Sequence, residues 1–178
     1  RLMHMSNLTK ILKKNFDASY HQQLILAGDL ADSMNSKVYL VGGAVRDVLL
    51  GKSVNDIDLV VVGDSEDFAD QLAIKLGGEI TARSQFLTAK ISFSDFSIDV
   101  ASARRDYYPY PGSLPQVNLV KSIDQDLVRR DISINAMAIS INRNTWGDLI
   151  DPMNGEDDLY QRKVRILYKR SFRDDPTR

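Results

Sequence analysis

With 178 residues, 43% apolar and 26% charged, the chain has the size and composition of one globular domain. It has no cysteine and only two histidines, His4 and His21, which excludes disulfides, thiolate metal sites and cysteine nucleophiles and argues against Ser-His catalysis. A net charge of −1 argues against a broad phosphate-neutralising surface, and any metal chemistry must use oxygen ligands, as magnesium, calcium and manganese do.

No apolar run reaches membrane-spanning length and no signal-peptide pattern opens the sequence, so we expect a cytoplasmic protein with no membrane partner. Residues 1–5 read as an irregular start. Apolar spacing over residues 19–34 (Leu24, Leu26, Ala27, Leu30, Met34) predicts an amphipathic helix. Residues 37–41 form a short buried strand, Gly42-Gly43 a turn, and residues 44–50 a helix closed by Gly51. Residues 56–62 are a strand ended by Gly63, and residues 68–76 a helix followed by two more glycines. Residues 86–93 and 96–100 alternate as two strands joined at Ser94-Asp95, a register that pairs Phe93 with Phe96, Ile91 with Ile98 and Lys90 with Asp99. Residues 103–117, "ARRDYYPYPGSLPQV", read as a loop, residues 123–128 as a short helix, and "RRDISINAMAIS" leads into a further apolar element. This order predicts an α/β (α+β) fold, a mixed sheet with helices on one side.

Three stretches carry chemistry. Asp56 and Asp58 stand two apart at the start of a strand, about 6.5–7 Å apart along the chain and on one face. Such a pair can share a hard cation whose shell is completed by phosphates. Alone, a D-x-D suits a solvated strand end better. The preceding "LVGGAVRD" is strand, Gly42-Gly43 and helix: glycines let a phosphate approach the backbone, and Arg46 could add a two-pronged contact. Alone this is an ordinary tight turn. Asp99, in "SIDVA", is either a third oxygen ligand or the partner of Lys90 across the hairpin. The tyrosines of the 103–117 loop could stack on bases or serve as packed covers.

A glycine turn, D-x-D in a strand and a later lone carboxylate resemble the DNA polymerase β nucleotidyltransferase superfamily. More narrowly, "LVGGAVRDVLLG", "DIDLVV" and "RRDISINAMAIS" are similar to the head domain of class II tRNA nucleotidyltransferases and bacterial poly(A) polymerases, over residues 38–178. The resemblance implies a polymerase-β-type nucleotidyltransferase fold and a two-magnesium transfer of CMP or AMP to a tRNA 3′ end from CTP or ATP. It implies metal binding by Asp56 and Asp58, with Asp99 as a third catalytic carboxylate. It also implies nucleotide contacts by Gly42, Gly43 and Arg46, and by Arg130, Asp131 and Asn135. The family's base-reading E-D-x-x-R motif is matched by "DDPTR", implying Asp175 and Arg178, with Asp174 in place of the glutamate. An arginine donates and an aspartate accepts, so such a pair can match a base edge without a template. We therefore expect a helical extension at 1–36, a head domain at 37–168, and at 169–178 the start of a following neck domain that belongs to a helical part needed for tRNA binding. Poly(A) addition, and an inactive nucleotide- or RNA-binding head domain, remain alternatives.

Overall fold

The computed structural model describes residues 7–54 and 56–176. Two helices open the chain, α1 (Thr9–Asn15) and α2 (Ala18–Ser33). Asp17 caps α2 by accepting the Ser19 backbone N–H at 2.9 Å. There follow β1 (Lys37–Val41), α3 (Gly43–Leu49), β2 (Ile57–Val62), α4 (Ser65–Leu76), β3 (Glu79–Ser84), β4 (Thr88–Ser92) and β5 (Ser97–Ser102). A strand pair, β6 (Arg104–Tyr107) and β7 (Gln116–Leu119), precedes α5 (Ile123–Leu127), β8 (Ala138–Ser140), β9 (Leu149–Ile150), α6 (Gly155–Tyr160) and α7 (Ser171–Asp174). Among the described residues no helix is long and apolar enough to cross a membrane.

Seven strands form one mixed sheet in the order β3-β4-β5-β2-β1-β8-β9. Neighbours are antiparallel except β2 and β5, which run parallel. Side chains alternate between the two faces of a strand. Val38, Leu40, Ile57, Leu59, Val61, Ile98 and Val100 enter the main core with Leu24, Val45, Val48, Phe68 and Leu72 of α2, α3 and α4. Leu12 of α1 joins the same core, so the N-terminal helices pack on the sheet. The opposite face carries a smaller cluster, in which Val41, Val60 and Ala138 meet Ile123 and Leu127 of α5. The main helices thus share one face, and α5 covers part of the other. Asp58 alternates with Leu59 and so faces this second side, where the cover is partial.

The β4–β5 register is the expected one, with Lys90 opposite Asp99 and Ile91 opposite Ile98. Phe93 donates its N–H to the Phe96 carbonyl at 2.9 Å, and the two rings stack at 4.3 Å between centroids. Several elements differ from expectation, three of them for local reasons. The strand expected from residue 86 begins at Thr88, because Phe86 and Leu87 turn the chain back from β3 and Leu87 sits at φ 60°. α4 begins at Ser65, because the Asp64 side chain accepts the N–H groups of Glu66 and Asp67 at 2.9 and 3.3 Å. The expected loop 103–117 is strand at both ends, pairing Arg104 with Leu119 and Tyr107 with Gln116, and only its Pro-Gly-rich middle is a turn.

Candidate active site

β1 ends at Val41, and the chain enters α3 through Gly42 at φ 70°, ψ −137°, a conformation that side chains disfavour. A methyl group placed on Gly42 would lie 3.6 Å from Arg130 Nη1 and 3.9 Å from Asp58 Oδ2. The turn, an arginine 88 positions later in sequence and a carboxylate of β2 therefore meet at one point. Asp56 and Asp58 line a cleft of about 250 Å³ together with Gly43, Arg46 and Asp47. Asp56 is exposed just before β2, and Asp58 is half-buried inside it.

The electrostatics of Asp58 mark this cleft. Burial pushes its carboxyl above the usual carboxylate range, and Asp99 and Asp56 push it further. Arg130 and Lys90 oppose them without cancelling the effect. Asp99 lies directly across the parallel β2–β5 ladder from Asp58. Its side chain pairs with Lys90 Nζ at 3.1 Å, and both side chains are about half exposed. So Asp58 is a partly buried carboxylate with two further carboxylates, Asp99 and Asp56, acting on it, and the donors of these three side chains are all oxygens. That donor set suits a hard divalent cation. Among the described residues no three acidic or imidazole side chains converge tightly enough to cage an ion by themselves.

The arginines are held differently. Arg46 is fixed by its neighbour Asp47, with Nε to Oδ1 at 3.0 Å and Nη2 to Oδ2 at 3.2 Å. Its Nη1 donates to Asn135 Oδ1 at 3.0 Å, so the half-buried Asn135 amide finds its partner in Arg46. Arg130 donates to Asp126 and, at 3.5 Å, to the Asn135 carbonyl. Asn135 thus stands between the two arginines. Arg130 and Asp131 also line a second cleft of about 300 Å³, with Arg104, Asp106, Tyr108 and Asp175. Asp131 Oδ1 accepts the Ile132 N–H at 2.8 Å. A third cleft of about 270 Å³ adjoins, lined by Tyr107, Arg170 and Asp174 among others. Tyr107 and Tyr110 of the hairpin are exposed.

Gly42, Gly43, Arg46, Asp56, Asp58, Arg130 and Asn135 therefore gather at one place, and Asp131 and Asp175 line the adjoining cleft. Asp99 borders the site but turns to Lys90. Arg178 lies outside the described residues. Sequence reasoning missed Asp106, Asp126 and Arg129. Asp126 is fully buried, and Arg129 bridges it to Asp106 at 2.9 and 2.8 Å. The one available signal was spacing, since Asp126 precedes Arg129 and Arg130 by three and four positions, the distance at which helical side chains meet.

Comparison with known proteins gives the following. Residues 38–165 match the model of the poly A polymerase head domain. The A-adding tRNA nucleotidyltransferase of Halalkalibacterium halodurans is 39% identical over 176 residues, covering 98% of this chain and 41% of that protein. The A-adding tRNA nucleotidyltransferase of Aquifex aeolicus is 44% identical over 142 residues, covering 80% of this chain and 17% of that protein. The Thermotoga maritima CCA-adding enzyme, solved in complex with tRNA, superposes with a TM-score of 0.84 at 36% identity, over 98% of this chain and 39% of that one. The chain thus spans about two-fifths or less of the length of these proteins.

Proposed function

The chain belongs to the poly A polymerase head-domain family, and from that membership we propose that it is the nucleotidyl-transfer unit of a tRNA-processing enzyme. In the proposed reaction the 3′-hydroxyl of a tRNA attacks the α-phosphorus of ATP or CTP and pyrophosphate leaves. The observation that carries this reading is the convergence of Arg130 Nη1 and Asp58 Oδ2 on the open side of Gly42, 3.6 and 3.9 Å from where a methyl group there would lie. Such a point offers backbone that a phosphate can approach, a carboxylate held above its usual pKa mainly by burial and an arginine fork.

Within that reading, Asp56 and Asp58 would hold divalent cations, with magnesium, two ions, as the proposed cofactor. When bound, such ions polarise phosphoryl oxygens and ease deprotonation of the attacking hydroxyl. Arg46 and Arg130 carry the positive charge that orients the phosphates, and Asn135 keeps the two guanidinium groups apart and aimed. Asp131, which lines the second cleft beside Arg130, suits a ribose hydroxyl. Asp175 with Arg178 would read the base edge. Asp99 tunes Asp58 from the neighbouring strand while paired to Lys90.

The finer proposal is AMP addition, because the two relatives above are named for adding A. The test incubates the full-length protein with tRNA transcripts ending before, within and after the terminal C-C, supplying each labelled triphosphate separately. Incorporation of AMP only, on transcripts ending in C-C, is the expected result. Incorporation of CMP would replace the finer proposal, long adenylate tails on unrelated RNA would indicate poly(A) addition, and no incorporation would refute transfer itself.

Magnesium and ATP should bind cooperatively, since the phosphates complete the ion's shell. Calorimetry of ATP binding with magnesium and with chelator is expected to differ by about 5–150-fold in affinity. Equal affinities would remove the metal from the reading.

A further inference from the structure

We infer that Asp126, which lines none of the three clefts, is a positioning residue: it sets the Arg130 guanidinium against Gly42 and Asp58 and, through Arg129, ties that setting to the β6–β7 hairpin. The inference rests on the nucleotidyl-transfer reading above.

Asp126 is 0% exposed on α5. A carboxylate taken out of water is costly unless its lone pairs are used. Here they are divided between two consecutive arginines. Oδ1 accepts the Arg104 backbone N–H at 3.0 Å, Arg129 Nε at 3.0 Å and Arg129 Nη2 at 2.9 Å. Oδ2 accepts Arg130 Nη2 at 3.1 Å and Nε at 3.3 Å.

The two arginines are left with different capacities. Arg129 also donates to the Arg104 carbonyl at 3.1 Å and, through Nη1, to Asp106 Oδ2 at 2.8 Å. Asp106 belongs to β6 and its side chain is 5% exposed, so Arg129 is a bolt between α5 and the hairpin. Arg130 is gripped by Asp126 along one edge of its fork, Nε and Nη2. Its other nitrogen, Nη1, is the one lying against Gly42, with a 3.5 Å contact to the Asn135 carbonyl. A guanidinium fixed on one edge presents the remaining nitrogen at a defined place, and a site works only when its charged groups are held to a fraction of an ångström. Asp126 supplies that hold for Arg130. Asp106, at the far end of the relay, lines the two clefts beside the hairpin, so displacement of the hairpin is transmitted to Arg130 through Arg129 and Asp126.

The test is a double-mutant cycle on magnesium-ATP affinity, measured by calorimetry with Asp126→Asn, Arg130→Ala and the pair. We expect Asp126→Asn to weaken binding about tenfold or more, and to add less than about twofold in the Arg130→Ala background, because coupled residues are not additive. The amide keeps the side chain's shape but not its charge, and circular dichroism checks the fold. A readout without nucleotide is the Arg130 Nε–H signal in nitrogen-15 NMR, which should exchange slowly in the wild type and quickly in Asp126→Asn. Should Asp126→Asn fail to fold, Arg129→Lys keeps the charge but loses the double hold on Asp126 and Asp106, and is read the same way. Losses that add in the Arg130→Ala background, or an Asp126→Asn chain that binds like wild type, would overturn the inference alone. A wild-type chain that binds no magnesium-ATP would overturn the transfer reading and this inference with it.

Discussion

Replacing Asp58 with alanine is expected to abolish nucleotide transfer and leave the fold as stable as before, or slightly more so. Metal-supported charge stabilisation contributes several kcal/mol to such a reaction, so turnover should fall by about three orders of magnitude or more. Asp56→Ala should do the same, from the exposed side of the same cleft. The stability half follows from the site's electrostatics. Burial, Asp99 and Asp56 hold the Asp58 carboxyl above its ordinary value of 3.8, so its ionised form is disfavoured in the folded chain relative to the unfolded one. That penalty is present above the raised pKa and fades as pH falls through it towards the ordinary value. Alanine removes the penalty, so the variant's gain in thermal stability should be seen near neutral pH and shrink in acid. Saturating magnesium and ATP should cancel or reverse the gain, because only the wild type can use them. Thermal unfolding across pH, with single-turnover assays, reads all of this. Wild-type turnover in either variant would remove the metal assignment.

The second large effect is expected at Gly42. Gly42→Ala should lower stability by about 1–3 kcal/mol, the cost of holding a side chain in a backbone region that only glycine occupies freely. For a chain of this size that is a fall in Tm of roughly 2–12 °C. The methyl itself would not clash, since its nearest neighbours lie 3.6 and 3.9 Å away. It would instead occupy the gap between Arg130 and Asp58. Magnesium-ATP affinity should therefore fall by more than the stability loss accounts for, when measured well below the Tm. A variant that melts early but binds normally would mean the glycine serves the turn alone.

How much of this was legible in the sequence depends on the range of the interaction concerned. The β4–β5 hairpin was readable down to its register, because Ile91 and Ile98 alternate around a two-residue turn and no distant partner is needed to set them. β3 was not, because it is an edge strand whose side chains are mostly exposed and carry little alternation. β6 and β7 were hidden by their composition: Arg104, Arg105 and Asp106 look like a solvated run, and only the buried contacts to Asp126 and Arg129 give them a strand's environment. In the site, the D-x-D, the glycine turn and the "RRD" stretch were visible as motifs. The resemblance picked out Arg130, but nothing in the linear text gave its neighbour Arg129 a role. They are identical neighbours in sequence, and only the fold turns Arg129 into the hairpin and Arg130 towards Gly42.

The position of β1 in the sheet bears on how the chain is made. β1 lies between β2 and β8, and β8 begins only at Ala138. Translation proceeds from the N-terminus, so a chain growing on the ribosome exposes one open edge of β1 from the time that strand appears until β8 has left the exit tunnel. An unpaired edge beside an apolar face is the kind of surface that invites mispairing with other nascent chains. The residues that close the edge follow directly on Arg130 and Asn135, so the same short burst of synthesis seals the sheet and delivers the arginine to Gly42 and Asp58. A half-made chain therefore carries its carboxylates without their arginine, and the later residues both protect the product and make it competent.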